Sequence, residues 1–216
     1  MKNTTINSIE YKKYNDFYKE EVIEIFIKSF ENYPLFEIVK DDFRTKEKYH
    51  SFYKLFMKVL FKATIRQNEC YIGVYDGKVV SVIIIDAPTD KPVGFVDYIV
   101  CGGFNFIIKL GLLNAFKFFK LSDETEFVVK SIKRPRWHLY FLVVDPKYQG
   151  KGIGSDAINN FLVPFVKEKK GKLITVTTNK KHNVKFYLNN GFSLIKEEIL
   201  IYKDRTVGNW SFKMDL

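Results

Sequence analysis

The 216-residue chain contains little cysteine and little proline, and it lacks a long uncharged hydrophobic run. Cys70 and Cys101 have no CxxC spacing and too few companions for a disulfide framework, which favours a reducing, cytoplasmic compartment. The low content of Gly and Pro, together with 28% charged residues, excludes a fibrous or wholly disordered chain. The chain is 46% hydrophobic and 17% aromatic, which is enough to bury one sizeable core.

The most apolar stretch, 99–121, is interrupted by Asn105, Lys109, Asn114 and Lys117. A membrane span needs about 20 mostly uncharged apolar residues, and interior charges are costly there. The stretch therefore predicts a core-packed helical insert rather than a span, and we expect no membrane partner. No apolar run follows the N-terminus before charges intervene, so no signal peptide is expected.

The charge balance is basic, because 35 Lys and Arg residues face 25 Asp and Glu residues, giving +10. Such a chain predicts an anionic partner, and composition leaves nucleic acid, a membrane surface and a phosphorylated small molecule open. Nine lysines lie in the segment 147–185 against only Asp156 and Glu168, so this segment carries +7 of the total. For any single lysine, a solvated surface position is the simpler explanation.

Hydrophobic spacing predicts mostly helix in the first sixty or so residues, after a short strand at 6–11. One helix is expected over 16–30. A second begins after Thr45, which is placed to act as the N-cap, although Lys48 stands where a capping box would have Glu. Two β-rich runs then follow, 71–75 and 79–85. They are joined by Asp-Gly, which predicts an antiparallel hairpin.

The second half alternates strands and helices, which implies a partly parallel sheet with helices on its faces. We expect one α/β domain with mixed strand directions. The predicted elements are one or two helices at 104–130, a strand at 137–144, a helix at 149–169, a strand at 173–178, a helix at 182–189 and a strand or hairpin at 192–214.

Three alternating glycines, Gly150, Gly152 and Gly154, follow the strand at 137–144 and open a helix. Glycine lets the backbone turn tightly and approach a ligand, and a helix N-terminus attracts anions, so a phosphate site is expected. A nucleotide-triphosphate loop needs GxxxxGK[ST], which is absent. The residues Gly152-x-Gly154-x-x-Ala157 match the G-x-G-x-x-A motif of dinucleotide-binding folds. That motif predicts an acidic ribose ligand about 20 residues on, and the strand 173–178 carries none. Incidental glycines are a further alternative, made unfavourable by the cost of glycine in helices.

The run Val144-Asp145-Pro146-x-x-Gln149-Gly150-Lys151-Gly152-Ile153-Gly154 resembles the Q/R-x-x-G-x-G/A acyl-CoA loop of the GCN5-related N-acetyltransferases, the GNAT superfamily. The run Asn183-Val184-Lys185-Phe186-Tyr187-Leu188-Asn189-Asn190-Gly191-Phe192 resembles the N-x-x-x-Y-x-x-x-G-F signature of the same family. Together the two motifs cover roughly 137–195, while the N-terminal half matches only in its order of helices and strands.

This resemblance implies an α/β fold with a mixed central sheet: antiparallel N-terminal strands, a parallel central pair splayed at the acyl-CoA site, and flanking helices. It further implies a single acetyltransferase-like domain over 1–216. Within it, 1–136 would supply the acceptor side, with the helical insert at about 99–130 before the central strand, and 137–195 would form the acyl-CoA core.

By the same resemblance, the pyrophosphate of acetyl-CoA would bind backbone amides of the glycine loop. These are Gln149, Gly150, Lys151, Gly152, Ile153, Gly154 and Ser155. The pantetheine arm would pair with the strand residues Leu142, Val143 and Val144 like an added strand.

The resemblance makes Tyr187 the general acid that protonates the departing thiolate; the alternative is a half-buried aromatic residue of the helix. Asn183, one turn earlier, would bind the cofactor arm or cap the helix. No general base is evident. A carboxylate or a water held by backbone carbonyls could take the proton of the ammonium. The acidic candidates are Asp123, Glu124 and Glu126, although acidic residues at such positions are usually solvated. The histidine candidates are His138 in the central strand and His50 on the second helix, where a lone histidine is more often structural. With His182 as the only other histidine and no close Cys/His/Asp cluster, we expect no metal site. The absence of a GxSxG motif argues against a covalent acyl-enzyme.

Acceptor choice is expected to rest on the N-terminal half, where 30–36 and the Phe-rich 104–119 would line an apolar cleft or simply form core. The predicted function is acetyl transfer from acetyl-CoA to a primary amine, by direct attack in a ternary complex. Two alternatives stay open: a non-catalytic CoA-binding or sensory module, and, less favoured, a nucleic-acid binder. The acceptor, a small molecule or a peptide, is not identified. We expect no nucleic-acid partner and a monomer or homodimer, in which the strand at 209–214 would pair with a partner's edge.

Overall fold

The computed structural model of the protein describes residues 9–216. It contains one seven-stranded sheet in the order β1-β2-β3-β4-β5-β7-β6. The strands are β1 Glu10–Lys13, β2 Glu69–Tyr75, β3 Lys78–Asp86, β4 Trp137–Val144, β5 Leu173–Thr178, β6 Ser193–Tyr202 and β7 Arg205–Asp215.

Helices cover both faces of this sheet. They are α1 Lys19–Ser29, α2 Pro34–Glu37, α3 Lys46–Ile65, α4 Phe95–Tyr98, α5 Phe104–Leu110, α6 Leu112–Lys130, α7 at 153–168 and α8 His182–Asn189. Two π-helical segments occur: Ile99–Gly103 joins α4 to α5, and Ala157–Leu162 forms the middle of α7 between Ile153–Asp156 and Val163–Glu168.

Neighbouring strands are antiparallel except β4 and β5, which are parallel. This arrangement confirms the predicted mixed α/β sheet. Of the strand predicted at 6–11, residues 6–8 lie outside the described residues, and within those described the strand covers Glu10–Lys13. The expectation that 209–214 pairs with a partner is wrong, because β7 lies between β5 and β6 and both of its edges are already paired.

The hairpin and the helix boundaries follow local backbone chemistry. Asp76 and Gly77 both have positive φ values, 50° and 71°, as a two-residue turn between antiparallel strands requires. The Thr45 side chain accepts a hydrogen bond from the Lys48 amide at 3.3 Å, which confirms the predicted N-cap. Helix α7 starts at Ile153 rather than at 149, because the two preceding glycines are left-handed.

Apolar residues pack on both faces of the sheet. On one face, Ile158 and Leu162 of α7 pack in the same cluster as Ile83 of β3. On the other face, Phe26 of α1 and Phe61 of α3 pack with the strands. Burying side chains of this size stabilises each layer by about 1.5–3 kcal/mol per residue.

The helical insert before β4 is confirmed as α5 and α6. One side of it is buried in a third cluster that also contains α3, through residues such as Phe56, Phe106 and Phe118. Within residues 9–216 no single helix has the length and apolarity to cross a membrane. Only the pair 95–110 and 112–130 meets those criteria together, and it is bent by 118°.

Candidate active site

The parallel strands β4 and β5 separate soon after they start. They pair only at Trp137 with Ile174 and at His138 with Thr175. Beyond this point the strands diverge, as predicted, and a cavity of about 470 Å³ lies between them. Its walls include Leu139 to Leu142 on one side and Val176 to Asn179 on the other, so the unpaired edges of two strands face a common space.

At the carboxyl end of β4, the glycine loop forms the entrance to α7. Gly150 and Gly152 have φ values of 77° and 83°, a conformation that side chains rarely adopt. A Cβ atom added to either residue meets no atom within 4 Å, so the space over the loop is open. The first amide to bond within α7 is that of Asp156, which donates to Gly152 O at 2.9 Å. The preceding amides are therefore available to an anion.

The third glycine has a different role. A Cβ on Gly154 would lie 3.0 Å from Cζ of Phe186, so this glycine permits α7 to approach α8 closely. The loop is further fixed to β4, because Gln149 Nε2 donates to Val144 O at 3.0 Å. Ser29 Oγ of α1 donates to the same carbonyl at 3.2 Å. Gln149 thus uses its side chain to hold the loop conformation.

The lysines of 147–185 do not form a single patch. Lys147 and Lys151 lie at the glycine loop, and Lys180, Lys181 and Lys185 lie at the nearby start of α8. The other four, Lys167, Lys169, Lys170 and Lys172, lie at the opposite end of α7, about 24 Å away at 1.5 Å per residue. The +7 of this segment is therefore divided between the two ends of α7, and five of the nine lysines belong to the loop and to the region of α8.

Tyr187 lies on α8 and lines the cavity. Its ring packs against Phe186, Phe192 and Phe212 at centroid distances of 5.2–5.5 Å, and the residue is 6% exposed. Among residues 9–216 no hydrogen-bond partner of its hydroxyl is found. Burial, with a smaller contribution from Tyr33, raises the pKa of Tyr187 above its usual range. The phenol is therefore a proton donor, not an anion, at neutral pH.

Asn183 also lines the cavity, and its Nδ2 donates to Thr178 Oγ1 at 3.0 Å. The alternative that it caps the helix is wrong, because it lies inside α8, whose N-cap residue is Lys181. Tyr33 reaches the same place from the N-terminal half. Its hydroxyl accepts from the amide of Asn179 at 2.8 Å and lies 3.3 Å from Thr178 Oγ1. These bonds join the acceptor side to the end of β5.

Carboxylates gather at the other end of the cavity. Asp86, Asp123 and Glu126 line it together with one cation, Lys130, so the lining carries a net charge of about −2 at neutral pH. Glu126 Oε2 lies 3.0 Å from Lys130 Nζ, and its side chain is only 16% exposed. Asp123 is solvated, as predicted for acidic residues at these positions, but Glu126 is not, because α6 turns it inward.

Asp86 is the acidic residue that sequence reasoning missed. It ends β3 and pairs in register with His138. Burial raises the pKa of Asp86 to about 6, and the charge of Asp90 adds to this rise while Arg136 opposes it. The sequence feature that could have identified Asp86 is its position directly after the apolar run 79–85, where a strand leaves the core. Burial and the Glu126 carboxylate likewise raise the pKa of the adjacent Tyr140 well above its usual range.

The histidines do not take part in the cavity lining. His138 is buried, its Nδ1 lies 2.9 Å from Thr175 Oγ1, and burial lowers its pKa to about 4. It is therefore a neutral structural residue at the point where β4 and β5 meet. His50 and His182 are exposed on α3 and α8. Within residues 9–216 no group of His, Cys, Asp or Glu has the arrangement of a metal site.

Aromatic side chains form most of the cavity wall that the N-terminal half and the insert contribute. From the predicted stretch 30–36, Phe30, Tyr33 and Phe36 line the cavity, and Phe36 is also core. From the insert, Phe116 and Phe119 line it, so the insert contributes both cleft and core. The cavity thus combines aromatic walls with carboxylates, and the glycine loop follows the strand β4 whose residues 139–142 line it.

The Acetyltransferase (GNAT) family model matches residues 32–192 of this sequence. The chain belongs to the GNAT family of acetyltransferases. The family that the two sequence motifs predicted is therefore confirmed. A comparison with curated protein sequences finds no match.

Solved structures of GNAT enzymes share the fold over nearly the whole chain. Arylalkylamine N-acetyltransferase 2 from Aedes aegypti is 15% identical, covers 97% of this chain and 99% of its own, and has a TM-score of 0.63. The polyamine N-acetyltransferase of Drosophila melanogaster, which forms N-acetylagmatine, is 13% identical with coverages of 97% and 100% and a TM-score of 0.58. The PaiA N-acetyltransferase of Thermoplasma acidophilum, solved with coenzyme A, is 14% identical with coverages of 97% and 100% and a TM-score of 0.52.

Proposed function

We propose that this GNAT protein transfers the acetyl group of acetyl-CoA to a primary amine that carries an apolar, preferably aromatic, body. The observation that carries the proposal is a cavity lined by carboxylates and by the diverging strands β4 and β5, with the glycine loop following directly after β4. Residues 137–195 would hold the acyl donor, and residues before 137, including the insert, would hold the acceptor.

The glycine loop fits a pyrophosphate because open space lies above Gly150 and Gly152. Amides from Gln149 to Ser155 would bind the phosphate oxygens at the positive end of α7. The edge of β4 at Leu142, Val143 and Val144 is free of β5 and would bond the pantetheine arm as an added strand. The Val144 carbonyl would take no part, because it already accepts from Gln149 and Ser29. Asn183 would orient that arm while its Nδ2 stays bonded to Thr178.

Transfer needs two proton movements, and the cavity offers a group for each. When bound, acetyl-CoA supplies the acetyl group as a thioester, whose C–S bond breaks as the new C–N bond forms. Asp86 would take the proton that the attacking ammonium must lose, since its carboxylate is not engaged by a lysine, whereas Glu126 is held by Lys130. Tyr187 would donate its phenolic proton to the leaving sulfur. No covalent acyl-enzyme is required.

The acceptor class follows from the walls of the cavity. An ammonium group would be attracted to Asp86 and Glu126, and the surrounding rings would pack against an apolar body. A linear polyamine would leave its further charges among Phe116, Phe119 and Tyr98, where burial is costly. The names of the structural neighbours include both a polyamine and an arylalkylamine N-acetyltransferase, so they do not discriminate between these acceptors. The proposal of an amine with an apolar body rests on the lining of this cavity.

The first experiment is calorimetric titration of the purified protein with acetyl-CoA, with NADH and ATP as controls. Selective binding with a roughly micromolar Kd is expected. Free-thiol release is then measured with phenylethylamine, spermidine and the non-amine phenylethanol, and turnover should be highest with phenylethylamine. Failure of a folded sample to bind acetyl-CoA would overturn the proposal. Binding without thiol release over a broad amine panel would favour the non-catalytic module.

A further inference from the structure

The outer face of the insert carries a row of exposed apolar side chains. Val96, Val100, Phe104 and Ile108 recur every four residues and are 60–71% exposed. The inner face of the same segment is buried in the core through Phe106 and its neighbours. Gly102, with a φ of 95°, bends the segment between Val100 and Phe104, so the four side chains share their exposure rather than one straight helical face. An exposed apolar surface of this kind is uncommon on a monomeric protein and marks an interaction site.

A row of cations runs along the exposed side of α3. Lys54, Lys58, Lys62 and Arg66 also recur every four residues, which places them on one side of the helix. The sequence from 48 to 68 contains no acidic residue. The sequence from 99 to 121 contains none either, although it carries three lysines.

Two contacts show that the two rows lie side by side. Arg66 Nε lies 3.2 Å from Asp97 Oδ1, and Lys109 Nζ donates to Ser51 Oγ at 3.2 Å. Between them, burial raises the pKa of the Cys101 thiol, and the charges of Arg66 and Lys62 oppose that rise. The insert therefore runs antiparallel to α3. The two rows, Val96 to Ile108 and Lys54 to Arg66, form one surface, which we call the basic-apolar face.

This surface continues into the mouth of the cavity. Phe95, Leu112 and Phe116 are 60%, 76% and 67% exposed, and all three also line the cavity. The ring of Phe95 lies 6.2 Å from that of Phe119, inside the rim. The exposed apolar side chains of the insert therefore extend from Val96 to the rim of the cavity.

We propose that the basic-apolar face docks on the surface of an anionic lipid bilayer. Aliphatic and aromatic side chains next to a row of lysines are what an interfacial site needs, because the apolar residues enter the headgroup region and the cations attract acidic lipids. A second copy of this chain is a poorer occupant, since a two-fold contact through this face would bring the cationic rows together. The inference goes beyond the proposed reaction and departs from the expectation of no membrane partner, which rested on the lack of a span.

The test is flotation of the full chain with vesicles of phosphatidylcholine alone or with 30% phosphatidylserine, without acetyl-CoA. The wild type should float with the anionic vesicles and bind them at least about tenfold more tightly than the neutral ones, with a loss at high salt. Phe104→Asp and Lys58→Glu should each weaken binding by about tenfold or more. The matched controls are Ile199→Asp, which changes an apolar residue that is 71% exposed on β6, and Lys172→Glu.

Circular dichroism of each variant checks that it is folded; Phe104 is the first residue of α5, where an acidic residue suits the helix N-terminus. Absence of wild-type binding to anionic vesicles would overturn the proposal, as would equal losses in Lys58→Glu and Lys172→Glu, which would make the attraction a general charge effect. A concentration-dependent dimer that is broken by Phe104→Asp, with no vesicle binding, would assign the face to a second copy. Because no turnover is measured, failure of the acetyltransferase proposal leaves this result unaffected.

Discussion

At one end of the candidate site, formed by the glycine loop and the edge of β4, the groups available to a ligand belong to the backbone; at the other end, in the cavity, they are side chains. The loop around Gly152 offers amides and open space, and β4 offers an unpaired strand edge. The acceptor end offers Asp86, Glu126 and aromatic rings from separate elements. A site built from backbone amides restricts which residues can occupy consecutive positions of the chain. A site built from side chains needs only carboxylates or aromatic rings at positions that are far apart in the sequence. The two ends should therefore respond differently to substitution.

The largest effect is expected where a side chain enters the backbone site. Gly152→Glu would add a side chain at a φ of 83° and a negative charge where the pyrophosphate is proposed to bind. Acetyl-CoA affinity should fall more than about 100-fold, beyond calorimetric detection. Gly77→Glu is the matched control, because Gly77 also has a positive φ and open space around it but lies in the β2–β3 turn. Equal losses in the two variants would show that backbone strain, not the site, is responsible.

The second largest effect is expected for turnover, when the hydroxyl of Tyr187 is removed. In the proposed reaction this side chain acts beside the acyl donor, which is otherwise held by backbone groups. Tyr187→Phe keeps the ring that packs on Phe212 and removes the hydroxyl. Turnover should fall roughly 100- to 1000-fold, as expected for loss of a general acid, while the Kd for acetyl-CoA stays within about threefold. Stopped-time thiol release and calorimetry on the same sample separate the two quantities. Normal turnover in Tyr187→Phe, with Tyr75→Phe as a reference, would reduce Tyr187 to a packing residue.

The same division between backbone and side chains explains what could be predicted from the sequence. The glycine loop was evident because three glycines must occupy fixed positions for α7 to start after a turn and to approach Phe186. The hairpin at Asp76-Gly77 and the cap at Thr45 were evident for the same local reason. The mixed order of the sheet followed from the alternation of strands and helices.

The acceptor end could not be derived in this way. Asp86 and Glu126 line one cavity only because α6 folds back over β5, β6 and β7, and the two residues are 40 positions apart in the sequence. A lone Asp after an apolar strand fits a solvated turn equally well. The position of β7 inside the sheet was also missed, because strand order among the last elements depends on which edge β5 leaves free. By contrast, the separation of the lysines could have been predicted, because the helix expected at 149–169 divides those of 147–185 into groups at its two ends.

The third prediction tests the acceptor end through its pH dependence. The pKa of Asp86 is raised to about 6, so its carboxylate is mostly charged above pH 6 and mostly protonated below it. Turnover of the wild type should therefore decrease as the pH falls through about 6. Asp86→Asn should lower turnover roughly 30- to 100-fold near neutral pH and remove that decrease.

Asp90→Asn is the sharper companion variant. The Asp90 charge contributes to the raised pKa of Asp86, so its removal should move the midpoint of the pH profile to lower pH and leave turnover at pH 8 nearly unchanged. A profile that is the same in the wild type and in Asp86→Asn would assign the proton transfer to another group, and Glu126 would be the next residue to replace.

The smallest effect is expected for a side chain at the backbone end. Lys151 projects from the glycine loop over the ring of Tyr148 at 5.0 Å, and it is exposed, so its charge acts through solvent. Lys151→Ala retains the loop amide at that position. Acetyl-CoA affinity should fall only about threefold at low salt, and the difference should disappear in roughly 0.5 M salt, since exposed charges are then screened. Gly152→Glu should remain defective at both salt concentrations. A large, salt-resistant loss of acetyl-CoA affinity in Lys151→Ala would mean that the loop also binds the ligand through a side chain. The contrast between the two ends of the candidate site would then no longer hold.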